Sequence, residues 1–154
     1  MSLLDKLAFN KLWQSSALFL LVVIIGCTTE SRPVEPVEGI DYAFSAIANE
    51  QLERFELTIN SKSHKLMCVP FENWPVNTGD LHYAAEVVFM NVQDSRYPIR
   101  DRNLGYCPSG CGSNEIPPGG TLRSVIPYSN FVGYEKVSNA KSRTLTFPVR
   151  ISFC

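Results

Sequence analysis

Hydrophobic and polar residues alternate along much of the chain after residue 40. Phe55, Leu57 and Ile59 are separated by single polar residues, and a similar alternation runs from Leu145 to Phe153. Successive side chains of a β-strand point to opposite faces, so a period of two predicts strands with one buried face. Pro148 interrupts the last segment and cannot donate a ladder hydrogen bond, which predicts an edge position or a bulge there.

Other segments complete an all-β pattern. Residues 93–96 are typical of a hairpin turn, and residues 116–122 (IPPGGTL) of a tight turn leading into a strand. The one stretch with a pattern compatible with a short helix is 45–54. About seven short strands separated by turn signals predict an antiparallel β-sandwich, broadly immunoglobulin-like, formed by residues 40–154. The remaining predicted strands are 42–47, 65–69, 84–92, 97–100 and 121–128.

The N-terminal region has a different pattern. Residues 1–16 include Lys6 and Lys11, and an apolar run then extends from Ala17 to Ile25. A basic stretch, an apolar stretch and a small residue are the layout of a secretory signal. The run is about half the ~20 residues that a membrane-spanning helix needs. We therefore expect a signal peptide. The alternative interpretations of this region are an ordinary cleaved signal peptide and an uncleaved membrane anchor.

The last four residues of this region, Ile24-Ile25-Gly26-Cys27, resemble the lipobox of bacterial lipoproteins. The resemblance covers residues 1–28. It implies that residues 1–26 are removed and that the Cys27 thiol carries diacylglycerol, with a further acyl chain such as palmitate on the new amine. Thr28 follows the cysteine in place of Asp, which by analogy implies the outer membrane, facing the periplasm. Several acyl chains anchor a protein more firmly than one.

The segment after Cys27 contains two prolines and three glutamates with almost no apolar residues, TTESRPVEPVE. Such a composition cannot bury enough apolar surface to fold by itself. Residues 27–39 are therefore predicted to be the lipidated cysteine and a disordered, extended tether. The domain would then be held at the cell envelope by its lipid.

Five cysteines are present, and lipidation of Cys27 leaves Cys68, Cys107, Cys111 and Cys154. Four cysteines suffice for two disulfides in an oxidising compartment, and they allow three pairings. A tight turn can close a local Cys107–Cys111 bridge, which leaves Cys68 to pair with Cys154. The crossed alternative, Cys68–Cys107 with Cys111–Cys154, encloses longer loops and stabilises more in the chain-entropy model. We prefer the local pairing, but the sequence leaves both open.

Composition and net charge indicate the number of domains and exclude one class of partner. The chain is 45% hydrophobic and 19% charged with a net charge of -1, which suits one globular domain. Removing residues 1–27 takes away Lys6, Lys11 and Asp5, so the 14 basic and 15 acidic residues become 12 and 14, a net charge of -2. A concentrated basic face is needed to bind nucleic acid, so we expect no nucleic-acid partner.

The candidate chemistry is sparse. His64 and His82 are the two histidines, and neither belongs to an H-E-x-x-H motif; G-x-S-x-G and S-x-x-K are also missing from the sequence. The spacing of Cys107 and Cys111 occurs in zinc sites, but in an exported protein oxidation to a disulfide is favoured. We therefore expect no catalytic residues, no metal and no cofactor.

Two loops contain the candidate partner-binding residues. Residues 70–83 place Phe71 and Trp74 among prolines, asparagines and a glycine, and residues 96–112 combine arginines, tyrosines and two cysteines. Aromatic and arginine side chains dominate binding hot spots. The alternative is that Trp74 packs over the open end of the sandwich while the charges pair on the surface. The candidates in the second loop are Arg96, Tyr97, Arg100, Arg102 and Tyr106.

These observations favour a membrane-anchored, non-catalytic protein-binding module: an inhibitor, an immunity protein or an envelope accessory factor. Its partners would be the membrane, through the lipid, and a periplasmic or surface protein. The alternatives are a small periplasmic enzyme or ligand carrier that uses His64 or His82, and a purely structural envelope lipoprotein. A fold by itself does not choose between them.

Overall fold

Residues 34–81, 87–100 and 111–154 are described by the computed structural model. They belong to one compact unit, Val34–Cys154. Nine strands form within these ranges: β1 (Tyr42–Asn49), β2 (Arg54–Ser61), β3 (Met67–Pro70), β4 (Phe89–Val92), β5 (Ser95–Pro98), β6 (Ser113–Ile116), β7 (Thr121–Pro127), β8 (Thr144–Thr146) and β9 (Ser152–Phe153). They make three three-stranded sheets with the orders β1-β2-β7, β6-β3-β9 and β5-β4-β8, and every strand pair is antiparallel.

The hairpin of β1 and β2 is the longest pairing, with a register that runs from Tyr42↔Ser61 to Asn49↔Arg54. Its turn is held by the Leu52 N–H, which donates to Asn49 Oδ1 at 3.1 Å. The prediction of a short helix over 45–54 is wrong, because β1 extends to Asn49. The alternate residues Phe44, Ala46 and Ala48 pack against the core, so a period of two, not 3.6, organises this segment.

The C-terminal alternation does not form one strand. β8 pairs with β4 in the third sheet, whereas β9 pairs with β3 in the second. Pro148 lies in the segment between them, where the missing N–H and the restricted φ of proline favour a break in the ladder. The single strand expected from Leu145 to Phe153 is therefore replaced by two short edge strands in different sheets.

β6 was not expected, since Ser113-Asn114-Glu115-Ile116 contains a single apolar residue. The turn that follows is closed by the Gly120 N–H, which donates to the Pro117 carbonyl at 2.8 Å. This turn joins strands of two different sheets, because β6 pairs with β3 and β7 with β2. Consequently β6 and β7 are both edge strands, and they follow one another in the chain.

The core is formed by the inward-facing residues of all three sheets. Phe55 lies near its centre, with ring contacts to Tyr128 at 4.9 Å and Phe131 at 5.9 Å between centroids. Antiparallel sheets around a common core are consistent with a β-sandwich. Helical structure in the described ranges is limited to three 3₁₀ turns, Phe71–Asn73, Tyr128–Asn130 and Tyr134–Lys136, and none of it is long and apolar enough to cross a membrane.

A candidate binding groove between two edge strands

A disulfide joins Cys68 of β3 to Cys154 beside β9, with their Cα atoms 5.3 Å apart. The crossed pairing, which needs Cys68 to bond Cys107, is therefore wrong. Cys111 is also disulfide-bonded. Cys107 and the lipidation candidate Cys27 lie outside the described residues, so the local bridge and the lipid remain predictions.

The first candidate loop places its two aromatic residues differently. Phe71 is 38% exposed, and Gly112 lies directly beneath it: a Cβ there would sit 3.0 Å from the Phe71 ring. The backbone joins the same pair, since the Phe71 N–H donates to the Gly112 carbonyl at 3.1 Å. Trp74 is only 3% exposed, and its ring meets Phe147 edge-on with centroids 5.9 Å apart. Phe71 is thus presented at the surface, whereas Trp74 packs inward.

The second candidate group lies on another sheet. Arg96 of β5 is exposed and its guanidinium lies 5.9 Å from the centroid of the Phe89 ring. Tyr97 is half-buried, and Arg100 forms an exposed ion pair with Glu135 at 3.0 Å. These residues belong to or follow β5 of the third sheet, so the structure does not bring them together with Phe71. Arg102 and Tyr106 lie outside the described residues.

The alternative hypothesis uses His64 or His82. His64 is exposed on the turn between β2 and β3, and His82 lies outside the described residues. Within the ranges that the structure describes, no three His, Cys, Asp or Glu side chains come together to hold a metal ion.

A groove of about 390 Å³ lies between the 71–77 segment and strands β6 and β7. Its apolar lining includes Phe71, Trp74 and Leu122, and its polar lining includes Asn77, Asn114 and Arg123. Arg123 is exposed and makes no ion pair with any described residue. Since none of the described residues that line the groove is acidic, their charge is positive on a chain that is slightly acidic overall. An apolar wall beside a cation that pairs with no described residue suits an amphipathic ligand that carries a carboxylate.

One wall of the groove is a loop that hydrogen bonds fix to β7. The Ser124 hydroxyl donates to the Pro75 carbonyl at 2.9 Å, and the Asn130 side-chain amide donates to the Gly79 carbonyl at 3.1 Å. Gly79 has a φ of +80°, and a Cβ there would lie 2.9 Å from the Val125 carbonyl oxygen. Because only glycine fits this approach without strain, the loop is held close against the strand.

Sequence reasoning found Phe71 and Trp74 but missed the rest of the groove. Arg123 and Leu122 were assigned to a predicted strand, and Asn114 to a segment with no predicted structure. No sequence signal places them beside Phe71, because their proximity depends on β6 and β7 being neighbouring edges of different sheets.

A second polar cluster surrounds Arg143, which is buried although it is charged. Its side chain is 2% exposed; it pairs with Glu50 and donates to the Val137 and Ser138 carbonyls, each at 2.8 Å. The guanidinium also lies 4.7 Å from the Tyr128 ring centroid. Burial, reinforced by Glu50 and opposed by Arg143, raises the pKa of Tyr128 to about 12. The contacts of Arg143 tie the 137–143 segment to the β1–β2 turn.

Comparison with known proteins gives no match among protein-family models, curated proteins or solved structures.

Proposed function

We propose that this chain is an exported lipoprotein, anchored through Cys27 and facing the periplasm from the outer membrane, whose domain binds an envelope or surface protein without catalysing a reaction. An immunoglobulin-like strand arrangement belongs to the same proposal. The observation that carries the binding role is the groove beside Phe71. It combines an exposed aromatic ring, a hydrogen-bonded loop and an arginine that pairs with no described residue in one place.

Preorganisation of the groove residues supports the proposed binding role. Phe71 is supported from below by Gly112, next to the disulfide-bonded Cys111, so little conformational entropy is lost when a partner covers the ring. Arg123 has no internal partner among the described residues and is available to an incoming acid. Aromatic and arginine side chains are the residue types that contribute most at protein interfaces.

The test is photo-crosslinking of the full chain in its native host. A benzophenone amino acid replaces Phe71 in one variant and Val132 in the other; Val132 is also an exposed apolar residue, 51% accessible, but lies away from the groove. We expect a discrete adduct from position 71 and none from position 132, and a weaker adduct from position 71 when Arg123→Ala is added. Equal adducts from both positions, or none from position 71, would refute groove binding.

The anchor has its own test. Mass spectrometry of the native protein should find an acylated N-terminal peptide that begins at Cys27. An N-terminal peptide that retains Met1 would rule out the lipoprotein assignment and leave the groove to be judged by crosslinking.

A further inference from the structure

Edge strand β6 leaves backbone hydrogen-bonding groups without partners beside the groove. The Phe71 N–H bonds the Gly112 carbonyl, so Phe71↔Gly112 is a hydrogen-bonded pair of the antiparallel ladder. Such pairs alternate with non-bonded ones. Asn114 and Ile116 therefore direct their backbone groups to β3, whereas Ser113 and Glu115 direct theirs outward. No backbone hydrogen bond between described residues uses these outward groups.

Two other edge strands, β7 and β5, are partly covered by neighbouring segments. The 74–79 loop covers part of β7 through the Ser124–Pro75 hydrogen bond and the approach of Gly79. The outer side of β5 is extended by an isolated bridge between Ile99 and Phe131. In contrast, the outward backbone groups of β6 bond no described residue, and the groove lies beside them. Exposed edges of this kind accept an additional strand readily.

We infer that the partner enters the groove as an extended segment that adds to β6 as the fourth strand of its sheet and places an acidic side chain against Arg123. This inference rests on the proposed binding function and specifies how the partner binds. Main-chain hydrogen bonds to Ser113 and Glu115 would supply affinity, as in other cases of strand addition. Alternate side chains of the segment would face the apolar wall formed by Phe71 and Leu122.

Charge complementarity identifies the segment as acidic. Arg123 is the charged residue of the groove lining, and the described structure gives it no carboxylate partner. A basic side chain at that position would bring like charge to Arg123. A helix or a proline-rich segment would contact Phe71 but leave the outward groups of β6 unpaired.

The test uses a random nonapeptide library selected on the full-length protein, followed by measurement of Kd for the selected peptides. We expect β-forming sequences with Asp or Glu at one position. Methylating alternate peptide nitrogens should weaken binding about tenfold, because each removes a main-chain hydrogen bond. Arg123→Ala should weaken it about three- to fivefold, whereas Arg150→Ala, which removes an exposed arginine that does not line the groove, should change nothing.

A backbone variant of β6 gives an independent readout. Glu115→Pro removes one outward N–H without touching the bonds to β3, and Glu115→Ala retains that N–H as the control. We expect weaker peptide binding in the proline variant alone, with unchanged far-UV circular dichroism in both. Binding that tolerates methylation and Glu115→Pro, or a library that yields no peptides, would overturn strand addition. Crosslinking from position 71 in that case would show that the proposed function stands without it.

Discussion

Arg143→Ala should be among the most destabilising single substitutions outside the apolar core. The wild-type guanidinium is almost fully buried, and it holds Glu50 together with the carbonyls of Val137 and Ser138. Truncation to alanine removes all of these contacts at once, together with the interaction with the Tyr128 ring. The 137–143 segment would lose its link to the β1–β2 turn.

The magnitude follows from the exposure of each partner. Removing one member of a fully buried ion pair costs about 3–5 kcal/mol, because the other charge is left without compensation. The Glu50 side chain is 40% exposed and can be hydrated, so the ionic part is smaller. Two hydrogen bonds from a charged donor add about 1.5–3 kcal/mol each where their acceptors stay dry. Because hydration of Glu50 offsets part of the lost ionic contribution, we expect Arg143→Ala to lower the free energy of unfolding by about 3 kcal/mol.

Urea denaturation followed by tryptophan fluorescence measures this loss, since Trp74 is buried in the core. The matched control is Arg100→Ala, whose ion pair with Glu135 has side chains 47% and 69% exposed. Exposed pairs contribute about 0–1 kcal/mol. If Arg143→Ala and Arg100→Ala lower the free energy of unfolding equally, the argument from burial is incorrect.

Three further predictions concern the disulfide, a turn glycine and a buried tyrosine. The double substitution C68S/C154S removes a bridge across a sequence separation of 86 residues, and it should lower the free energy of unfolding by about 4–5 kcal/mol in the chain-entropy model; an unchanged urea midpoint would contradict this. Gly79→Ala should lower the free energy of unfolding by at least ~1 kcal/mol more than Gly119→Ala. Both glycines have positive φ, but a Cβ at Gly119 meets nothing within 4 Å. Equal thermal midpoints of the two variants would show that the close approach at Gly79 is unimportant. Because the pKa of Tyr128 rises from 10.0 to about 12 in the folded protein, its contribution to stability is complete below pH 10 and is lost as the pH rises through 12. Absorbance titration at 295 nm should show a late-ionising tyrosine that disappears in Tyr128→Phe, and loss of an ordinary one instead would refute the assignment.

The elements with a local signal are predictable from the order of residues. The period of two through Phe55, Leu57 and Ile59 predicts β2 because side-chain alternation is a property of the strand itself. Tyr42 to Ile47 and Thr121 to Tyr128 were likewise recognised as strands, and the structure places β1 and β7 there. Cysteine arithmetic anticipated a Cys68–Cys154 bond as one of the possible pairings.

Which strands pair with one another depends on long-range packing. The residues from Leu145 to Phe153 have one continuous pattern, yet they divide between two sheets because pairing partners are chosen by long-range packing. The residues of β6 show no strand pattern in the sequence, because this strand is defined by its pairing with β3. The groove also depends on long-range packing. Phe71 and Arg123 are distant in sequence, and antiparallel pairing over the shared core brings them and the outward edge of β6 to one place.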